Sequence, residues 1–361
     1  MVKGQPSTDQ INLKGLVPLE LEDLITQWGE PKYRAQQLMS WMYGKRVGAF
    51  EAMTNFPKTL RQMLTDRTYI SEARILTRTT SHTDSAIKYL CELPDGGRVE
   101  SVLMFDGKRV TVCVSSQVGC AMACDFCATG KMGFFRQLTA AEILDQLMAI
   151  ERELADGSVV TNVVFMGMGE PLANYDQTLN ALRLMSDPNG LMLSEGRITV
   201  STVGLAPRMR QFARERLKCN LALSLNATTD DVRTHLMPIN VKYPIDEVLD
   251  AAREWALTTQ RRATIEYVLI RNVNDSVADA RRLCKLMGRL PCKLNLIPFN
   301  EIEDSGFRRP EPDRIEQFRR IVANGYHVAP IRFSKGRDIA AACGQLRTTY
   351  EKQGRMMPRV S

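Results

Sequence analysis

VTVCVSSQVGCAMACDFC, residues 110–127, joins a run of alternating valines to a loop that carries three cysteines. β-Branched residues in alternation predict a strand. Further along, Thr139 followed three residues later by Glu142 is a capping box, which predicts the start of a helix. The apolar stripe expected of that helix is Ile143, Leu144, Leu147, Ile150 and Leu154. This part of the chain is therefore predicted to run from a strand through a cysteine loop into a helix.

Similar strand patterns recur along the rest of the chain, separated mostly by segments of helical period. The β-rich runs are Asn162 to Met166, Arg197 to Thr202, Asn220 to Leu225, Thr264 to Ile270, Lys293 to Pro298 and His327 to Phe333. Strands that alternate with helices indicate parallel strands, in an open α/β sheet or in a full or partial (β/α) barrel. Both architectures bind ligands at the carboxyl ends of their strands. We therefore expect the functional site in loops just after these runs.

The first part of the chain has a different pattern. Between residues 14 and 65, apolar residues recur at helical spacing, which predicts a small helical module. Within it, the segment Lys32 to Arg46 carries basic and aromatic residues and no acid. This segment suits either contact with RNA or an ordinary solvated helix face. From Ile70 to Val114 the pattern predicts strands, with a turn at Pro94 to Gly97.

The composition is that of an ordinary globular protein, with 44% hydrophobic and 25% charged residues. The 48 Lys and Arg exceed the 41 Asp and Glu by a net charge of +7, which suits an anionic partner such as RNA or serves solubility. No apolar run approaches the roughly 18 to 20 residues of a membrane span, and the first residues lack a secretory signal, so we expect a cytoplasmic protein. Nine cysteines in that reducing compartment indicate metal binding or chemistry, because a disulfide framework would not persist there.

Cys120, Cys124 and Cys127 have the spacing C-x3-C-x2-C, which suits thiolate ligands of one metal centre. A structural zinc site would need a fourth ligand, but the chain has no second C-x-x-C and its three histidines form no zinc-type pair. An electron-transfer 4Fe-4S cluster normally takes four cysteines. Three thiolates would leave one iron open, as a catalytic centre that binds its substrate requires.

A glycine-rich segment, Gly167 to Glu170, follows the run that ends at Met166. Glycines there would let the backbone approach a ligand closely. A dinucleotide-binding fingerprint would need a further glycine at position 172, where the chain has Leu172. Nicotinamide binding is therefore not favoured.

The cysteine spacing in this loop resembles that of the radical S-adenosylmethionine (SAM) superfamily, in which SAM chelates the open iron of a 4Fe-4S cluster. A narrower resemblance, over about residues 33–346, is to the RlmN family of dual-specificity RNA methyltransferases. The stretches that carry it are SSQVGCAMACDFCATG (115–130), FMGMGEPLAN (165–174), TIEYVLI (264–270), LNLIPFN (294–300) and DIAAACGQL (338–346). These stretches are also close to those of the Cfr-type carbon-8 methyltransferases.

The fold that this resemblance implies is α/β, a partial (β/α)6-type radical SAM barrel with a small N-terminal helical domain and a β extension. We expect residues 1–66 to form a helical accessory domain that binds RNA and residues 67–105 to form a β-hairpin linker or extension. Residues 106–346 would form the barrel with a catalytic C-terminal loop, and residues 347–361 a basic tail.

The resemblance also implies the site residues. Cys343 and Cys113 would be catalytic, although by themselves both also suit small buried thiols. Glu100 would be a proton acceptor; the alternative is that Glu100 is an ordinary exposed glutamate of the hairpin. Met166 would be a supporting residue that lies near the methyl group carried by Cys343 during the reaction. The cluster ligands would be Cys120, Cys124 and Cys127, and the SAM contacts Gly169, Glu170, Ser201, Ser224, Leu225, Asn226 and Asn300. Asn226 stands where relatives commonly have histidine. We expect Cys91, Cys219, Cys284 and Cys292 to be buried thiols.

The implied activity is methylation of adenosine carbon 2 in the peptidyl-transferase region of 23S rRNA and next to the anticodon in tRNAs. Two SAM molecules would be used per turnover, one to methylate Cys343 and one to yield a 5′-deoxyadenosyl radical that activates the S-methyl group. Cys113 would then release the product by forming a Cys113–Cys343 disulfide. The implied partners are 23S rRNA, tRNA and an electron donor such as flavodoxin, and we expect a monomer with no membrane contact. Alternatives are a Cfr-type carbon-8 methyltransferase, a non-catalytic RNA-binding iron-sulfur protein and a small-molecule radical enzyme.

Overall fold

A mixed sheet organises the chain in the computed structural model, which describes residues 10–155, 158–303, 305–326 and 329–348. The strands in these ranges are β1 Ile11–Asn12, β2 Thr68–Tyr69, β3 Arg74–Thr80, β4 Ala86–Glu92, β5 Arg98–Asp106, β6 Arg109–Cys113, β7 Gln117–Gly119, β8 Phe134–Gln137, β9 Asn162–Phe165, β10 Ile198–Thr202, β11 Asn220–Ser224, β12 Ala263–Leu269 and β13 Cys292–Pro298. The α-helices are α1 Pro18–Gln27, α2 Tyr33–Met39, α3 Lys58–Arg67, α4 Ala128–Met132, α5 Ala140–Glu151, α6 Tyr175–Ser186, α7 Ala206–Arg214, α8 Asp230–Leu236, α9 Ile245–Thr259, α10 Val277–Met287 and α11 Pro312–Tyr326. Within these ranges, every helix is too short or too polar to cross a membrane.

The second half of the sheet is parallel. Strands β6, β9, β10, β11, β12 and β13 are consecutive neighbours, and each pair runs in the same direction. From β9 to β13 they match the predicted runs to within a residue at each end, so the predicted alternation of strands and helices is confirmed. One cavity is lined by residues from β5, β6 and the five strands β9 to β13, so this part of the sheet curves around that cavity.

The last predicted strand, His327 to Phe333, is wrong in its extent. His327 and Val328 lie outside the described residues, and from position 329 onward the segment makes a single parallel bridge, between Ile331 and Leu296 of β13. Leu296 donates to the carbonyl of Pro330 and accepts from the N–H of Arg332. Proline has no N–H to donate, which limits the ladder that this segment can extend.

The first half of the sheet is antiparallel, because β3, β4, β5 and β6 pair in sequence as neighbours of opposite direction. The turn predicted between β4 and β5 is present, and Leu93 donates its N–H to the carbonyl of Gly97 at 2.7 Å. Gly96 adopts a φ of +85°, which a glycine accommodates without strain. The β extension predicted from the sequence therefore continues the same sheet that carries the parallel strands.

The predicted helical module is confirmed by α1, α2 and α3, with a π-helical turn at Ser40–Gly44. Their buried apolar side chains include Leu21, Ile25, Leu38 and Leu64. These side chains belong to one apolar cluster with those of the sheet, so the module packs onto the rest of the described chain through a shared core.

Helix α5 begins with the predicted capping box, in which Thr139 Oγ1 accepts from the N–H of Glu142 at 3.2 Å. The predicted apolar stripe is confirmed, because its residues lie in the apolar core or pack against it. The other faces of the helix are enclosed as well, since residues 140–150 are all buried. Gln146 faces the sheet, where its Oε1 accepts from Ser101 Oγ and from the N–H of Ser115, both at 2.8 Å. The sheet covers the face of the helix that carries Gln146, and N-terminal residues cover the face that carries Asp145.

The N-terminal cover of α5 centres on a buried ion pair. Lys14 Nζ lies 2.5 Å from Asp145 Oδ1 and donates to the carbonyl of Ser71 at 2.6 Å. Ser71 Oγ donates to the other carboxylate oxygen of Asp145 at 2.6 Å. Lys14 is 3% and Asp145 1% exposed, so each charge depends on these partners.

Replacing Lys14 by Met is expected to lower the free energy of unfolding by about 3–5 kcal/mol, because it leaves the Asp145 carboxylate buried without a counter-charge. Urea unfolding followed by circular dichroism at neutral pH measures this loss. Arg289→Met is the control, since Arg289 pairs with Asp246 where both side chains are well exposed, and such pairs contribute about 0.2–1 kcal/mol. Equal losses in the two variants would contradict the assignment of Lys14 as a buried clamp.

Candidate active site

A cavity of about 150 Å³ lies at the carboxyl ends of the parallel strands, which is where the sequence predicts the site. We call it the carboxyl-end cavity. The predicted residues that line it are Cys124, Cys127, Met166, Gly169, Glu170, Ser201, Ser224, Asn226, Asn300 and Cys343. The structure therefore brings together residues that are more than 200 positions apart in the chain. Cys120 and Leu225 lie outside this lining, and the Leu225 side chain is fully buried in the apolar core.

The cysteine loop is more structured than a plain loop between a strand and a helix. The hairpin β7–β8 and the short helix α4 lie between β6 and α5, and Cys127 is the N-cap of α4. The Cys127 thiol accepts from the backbone N–H groups of Thr129 and Gly130. A Cβ at Gly130 would lie 2.7 Å from the carbonyl oxygen of Cys124, so the absence of a side chain there lets α4 pack against the loop.

Burial raises the pKa of Cys120 to about 12 and also raises the pKa values of Cys124 and Cys127. Burial is the largest cause of the rise in the Cys124 pKa, and the charges of Cys127 and Cys120 raise it further. The three thiols are therefore close enough to interact. A bound metal cation reverses the preference, because it deprotonates a coordinating thiol. Within the described ranges, no three His, Cys, Asp or Glu side chains converge as ligands of one ion would. A 4Fe-4S cluster has a different requirement, since its thiolates bind separate irons, and these three interacting thiols fit that donor set.

The glycine segment after β9 packs against the chain itself. A Cβ at Gly167 would lie 2.6 Å from the carbonyl oxygen of Val114. Gly169 has a φ of +100°, and a Cβ there would lie 2.6 Å from Cβ of Gln117. The two glycines therefore permit close approach to the segment after β6, and Gly169 also lines the carboxyl-end cavity.

Glu170 is 2% exposed and its carboxylate joins two loops. Oε1 accepts from the N–H of Leu172 at 3.0 Å and Oε2 accepts from the N–H of Val203 at 2.8 Å. Burial raises the pKa of Glu170 to about 7, although these hydrogen bonds lower it. A cationic ligand group in the cavity would stabilise the charged form, so the site suits the ammonium of SAM.

Asn300 places a buried hydrogen-bond acceptor on the wall of the carboxyl-end cavity. Its Nδ2 donates to Ser334 Oγ at 2.9 Å and to the carbonyl of Cys343 at 3.2 Å. Its Oδ1 is buried on the cavity wall without a hydrogen-bond partner. A buried acceptor without a partner costs about 1–3 kcal/mol, and a donor group of SAM in this cavity would satisfy it.

The amide of Asn226 is instead engaged within the protein. Asn226 has a φ of +58°, which asparagine tolerates better than most residues. Its Oδ1 accepts from the N–H of Val268 at 3.0 Å, and its Nδ2 points to the sulfur of Met237 at 3.4 Å. Asn226 is thus part of the cavity wall and holds β11 and β12 together at their carboxyl ends.

A second cavity of about 460 Å³, which we call the inner cavity, extends from the carboxyl-end cavity toward the amino ends of the strands. Cys113 and Cys343 both line it, and Met166 and Cys343 line both cavities. Cys113, at the end of β6, has its thiol at the backbone of Met166. Burial raises the pKa of Cys113 to about 12, and the charge of Cys343 raises it further. The two thiols are therefore close enough for their charges to interact. Both are free thiols in this structure.

Glu100 is buried, which makes the exposed-hairpin interpretation wrong. Its carboxylate lies 3.2 Å from Lys88 Nζ and accepts from the N–H of Arg347 at 2.8 Å. Burial raises the pKa of Glu100, and the Lys88 charge lowers it by less. Val102, two residues further along β5, lines the inner cavity, so Glu100 lies on the cavity face of that strand.

Two charged residues of the site were not predicted. Glu266 lines both cavities, and a glutamate inside the apolar run TIEYVLI was a signal that could have revealed it. Arg233 is fully buried and donates to the carbonyls of Val203 at 2.7 Å and Leu225 at 3.1 Å. Nothing in the sequence around Arg233 distinguishes it from a solvated helix residue.

The other cysteines lie outside both cavities. Cys91, Cys219 and Cys292 are buried, as predicted, and Cys284 is half-buried beside the carbonyls of α11.

Comparison with known proteins places these features in a family. A model described as Ribosomal RNA large subunit methyltransferase N-terminal domain matches residues 11–70, and the model of the Radical SAM superfamily matches residues 114–284. A dual-specificity RNA methyltransferase RlmN of Geobacter sulfurreducens is 47% identical over 341 residues, which cover 93% of this chain and 92% of that protein. A probable RlmN of Symbiobacterium thermophilum is 45% identical over 94% of this chain and 92% of its own length. The crystal structure of a radical SAM methyltransferase from Sphaerobacter thermophilus aligns with a TM-score of 0.88 at 44% identity, over 93% of this chain and 99% of that one.

Replacing Gly169 by Ala is expected to weaken SAM binding more than tenfold, because the new Cβ would force the 167–170 segment away from Gln117. Equilibrium dialysis with labelled SAM on the cluster-loaded protein measures the change. Gly96→Ala is the matched control, since Gly96 also has a positive φ but its Cβ would meet no atom within 4 Å. Equal SAM affinity in the two variants would argue against this segment as part of the SAM site.

Proposed function

Because the chain belongs to the RlmN family of radical SAM RNA methyltransferases, we propose that it methylates carbon 2 of adenosine in two RNAs. The targets are an adenosine in the peptidyl-transferase region of 23S rRNA and the adenosine next to the anticodon of tRNAs. One observation carries the proposal. Cys343 lies where the carboxyl-end cavity, with its cluster cysteines, meets the inner cavity, which contains Cys113. A thiol at that junction can serve as a methyl carrier between SAM and RNA.

The residues of the carboxyl-end cavity fit the cofactors of this family. Cys120, Cys124 and Cys127 would hold a 4Fe-4S cluster, and the unpartnered Oδ1 of Asn300 and the carboxylate of Glu170 would hold SAM. When bound, the two supply one-electron chemistry that activates an S-methyl group by removing one of its hydrogen atoms. The protein contributes the position of that methyl group, through the hydrogen bond from Asn300 to the backbone of Cys343.

Cys343 acts first as a nucleophile. Its thiolate attacks the methyl carbon of one SAM, a sulfur–carbon bond forms on Cys343, and the bond from that carbon to the SAM sulfonium breaks. A second SAM is consumed for activation, which gives two per turnover. The methylated Cys343 then stands beside Met166, in the wall that the two cavities share.

Glu100 and Cys113 complete the reaction. Once the carbon on Cys343 is bonded to the adenine ring, the adduct carries one unpaired electron. This electron would return to the cluster, and Glu100 accepts the proton that carbon 2 loses, a role that its raised pKa favours. Cys113 then attacks the sulfur of Cys343. The new sulfur–sulfur bond replaces the bond from sulfur to carbon, whose electron pair stays on carbon and takes up a proton to complete the methyl group. An electron donor such as flavodoxin would supply the activation electron, and reduction of the disulfide resets the thiols.

RNA would be bound in part by the helical module, which we propose as an accessory domain at residues 1–66. Tyr33 is 52% exposed with the Arg34 guanidinium 5.0 Å from its ring centre, and Lys45 Nζ lies 3.6 Å from the ring centre of Trp41. Cations beside exposed aromatic rings suit RNA phosphates and unstacked bases. Of the predicted basic tail, residues 349–361 lie outside the described ranges. The cytoplasmic location and the monomeric state stay predictions from the sequence.

The proposed activity requires that 2-methyladenosine appear only when Cys343 is present. Protein-free 23S rRNA and tRNA are incubated anaerobically with the cluster-loaded protein, SAM and a reductant, and their nucleosides are analysed by mass spectrometry. Cys343→Ala is expected to lose all product. Cys219→Ala, which removes a buried thiol outside both cavities, should retain it. Formation of 8-methyladenosine would assign the Cfr-type activity instead, and SAM cleavage without a methylated base would contradict an RNA substrate.

Replacing Cys113 by Ala is expected to stop the reaction after RNA has been attached to Cys343, because no second thiol is left to release it. A covalent protein–RNA species should then persist on a denaturing gel and disappear in the Cys113→Ala, Cys343→Ala double variant. Normal turnover by Cys113→Ala would show that Cys113 does not resolve the adduct.

A further inference from the structure

Arg332 and Glu266 form an ion pair at the inner cavity that the proposed reaction does not use, with Glu266 buried and Arg332 partly exposed. Arg332 follows the bridge at Ile331, and its N–H donates to the carbonyl of Leu296 at 2.8 Å. This backbone bond fixes Arg332 beside β13, with its side chain in the lining of the inner cavity. There Arg332 Nη1 lies 3.5 Å from Glu266 Oε1, in the same lining as Cys113 and Cys343.

We propose that Arg332 is a positioning residue that stabilises the thiolate of Cys343, the form that accepts a methyl group from SAM. The inference rests on the proposed function, in which Cys343 is the methyl carrier. It assigns to Arg332 a specific task, which is to offset the cost of a negative charge on the partly buried sulfur of Cys343.

The charged and titratable groups that face Cys343 come from three elements. They are Cys113 at the end of β6, Glu266 in β12 and Arg332 after the Ile331 bridge. Burial raises the pKa of Cys343, the Arg332 charge lowers it, and the Glu266 charge raises it by less. The hydroxyl of Ser334 also lowers this pKa through a hydrogen bond. Arg332 is thus the cation that counters burial at this thiol.

The effect is reciprocal, as a direct charge interaction requires. Burial lowers the pKa of Arg332, while Cys343, Glu266 and Cys113 together raise it, with a net rise. The largest of these charge effects on the Arg332 pKa comes from Cys343. Glu266 is itself held by Asn295 Nδ2 at 3.1 Å, so the carboxylate that pairs with Arg332 has a fixed position.

A second cation in the same lining provides a comparison. Lys335 Nζ donates to the carbonyl of Phe105 and to Ser85 Oγ, and it lies 3.9 Å from Asp106. These partners belong to β5 and the loop before β4, so the ammonium is held at that side of the cavity. Arg332 is instead paired with Glu266, in the part of the lining that holds Cys343. Of these two cations, only Arg332 should change the pKa of the Cys343 thiol when it is removed.

The test measures the thiolate of Cys343 directly, without RNA or SAM. The reduced, cluster-loaded full chain is treated with short pulses of iodoacetamide across a pH series. Trypsin then releases residues 338–347, DIAAACGQLR, in which Cys343 is the single cysteine, and mass spectrometry measures its alkylation. In Arg332→Met, the pH midpoint of alkylation is expected to rise by about one unit or more, which slows alkylation about tenfold below the midpoint. Arg332→Lys should recover part of the loss.

Two further variants separate charge from structure. Lys335→Met removes a cation from the same lining and should leave the midpoint unchanged. Glu266→Gln removes a negative charge and should lower the midpoint, opposite in sign to Arg332→Met. A midpoint in Arg332→Met equal to that of the unchanged protein, or shifts of the same sign in Arg332→Met and Glu266→Gln, would overturn the proposal. If the unchanged protein does not methylate RNA, the proposed function fails, but the role of Arg332 can still be tested. Alkylation of Cys343 needs no turnover.

Discussion

Cys113 pairs with Val164 of the parallel strand β9, and the backbone ladder continues beyond the strands themselves. Val114 donates to the carbonyl of Val164 at 3.0 Å, and Gly167 donates back to the carbonyl of Val114 at 3.1 Å. This ladder fixes Cys113 beside Met166 and brings the glycine segment against the start of the cysteine loop. A slip of one residue would turn the Cys113 side chain to the opposite face of the sheet. The relative positions of the cysteine loop, the glycine segment and Cys113 therefore all depend on one pair of strands.

Dehydration sets the chemistry of the site that this pairing builds. Burial raises the pKa of both thiols proposed as catalytic, Cys113 and Cys343, and of both acidic groups proposed for the site, Glu170 and Glu100. A charged form persists in such a site only beside a partner. Glu170 has backbone N–H groups, Glu100 has the Lys88 ammonium and the N–H of Arg347, and Arg332 is the partner proposed for Cys343. Fixed partners of this kind act more strongly in a buried site than in water.

Helix α5 joins this site to the N-terminal module. On the sheet side, Gln146 bonds to Ser101 of β5 and to Ser115, two residues after Cys113. On the other side, Asp145 holds Lys14 and Ser71. Polar groups at adjacent positions of one buried helix thus connect the strands of the catalytic site to the module proposed to bind RNA. Such a connection would hold RNA bound by the module at a fixed distance from Cys343.

The sequence by itself determined the alternation of strands and helices, the capped start of α5 and the cysteine loop, because these features depend on neighbouring residues. It also predicted ten residues of the carboxyl-end cavity lining, through family motifs that stand at the ends of predicted strands. Only the tertiary structure decided that α5 is enclosed on every side, that Glu100 is buried, and that Leu225 turns into the core. It also decided that Glu266 and Arg332, 66 positions apart, meet beside Cys343. Burial and charge pairing of this kind depend on which distant strands become neighbours, and no local pattern in the chain encodes that.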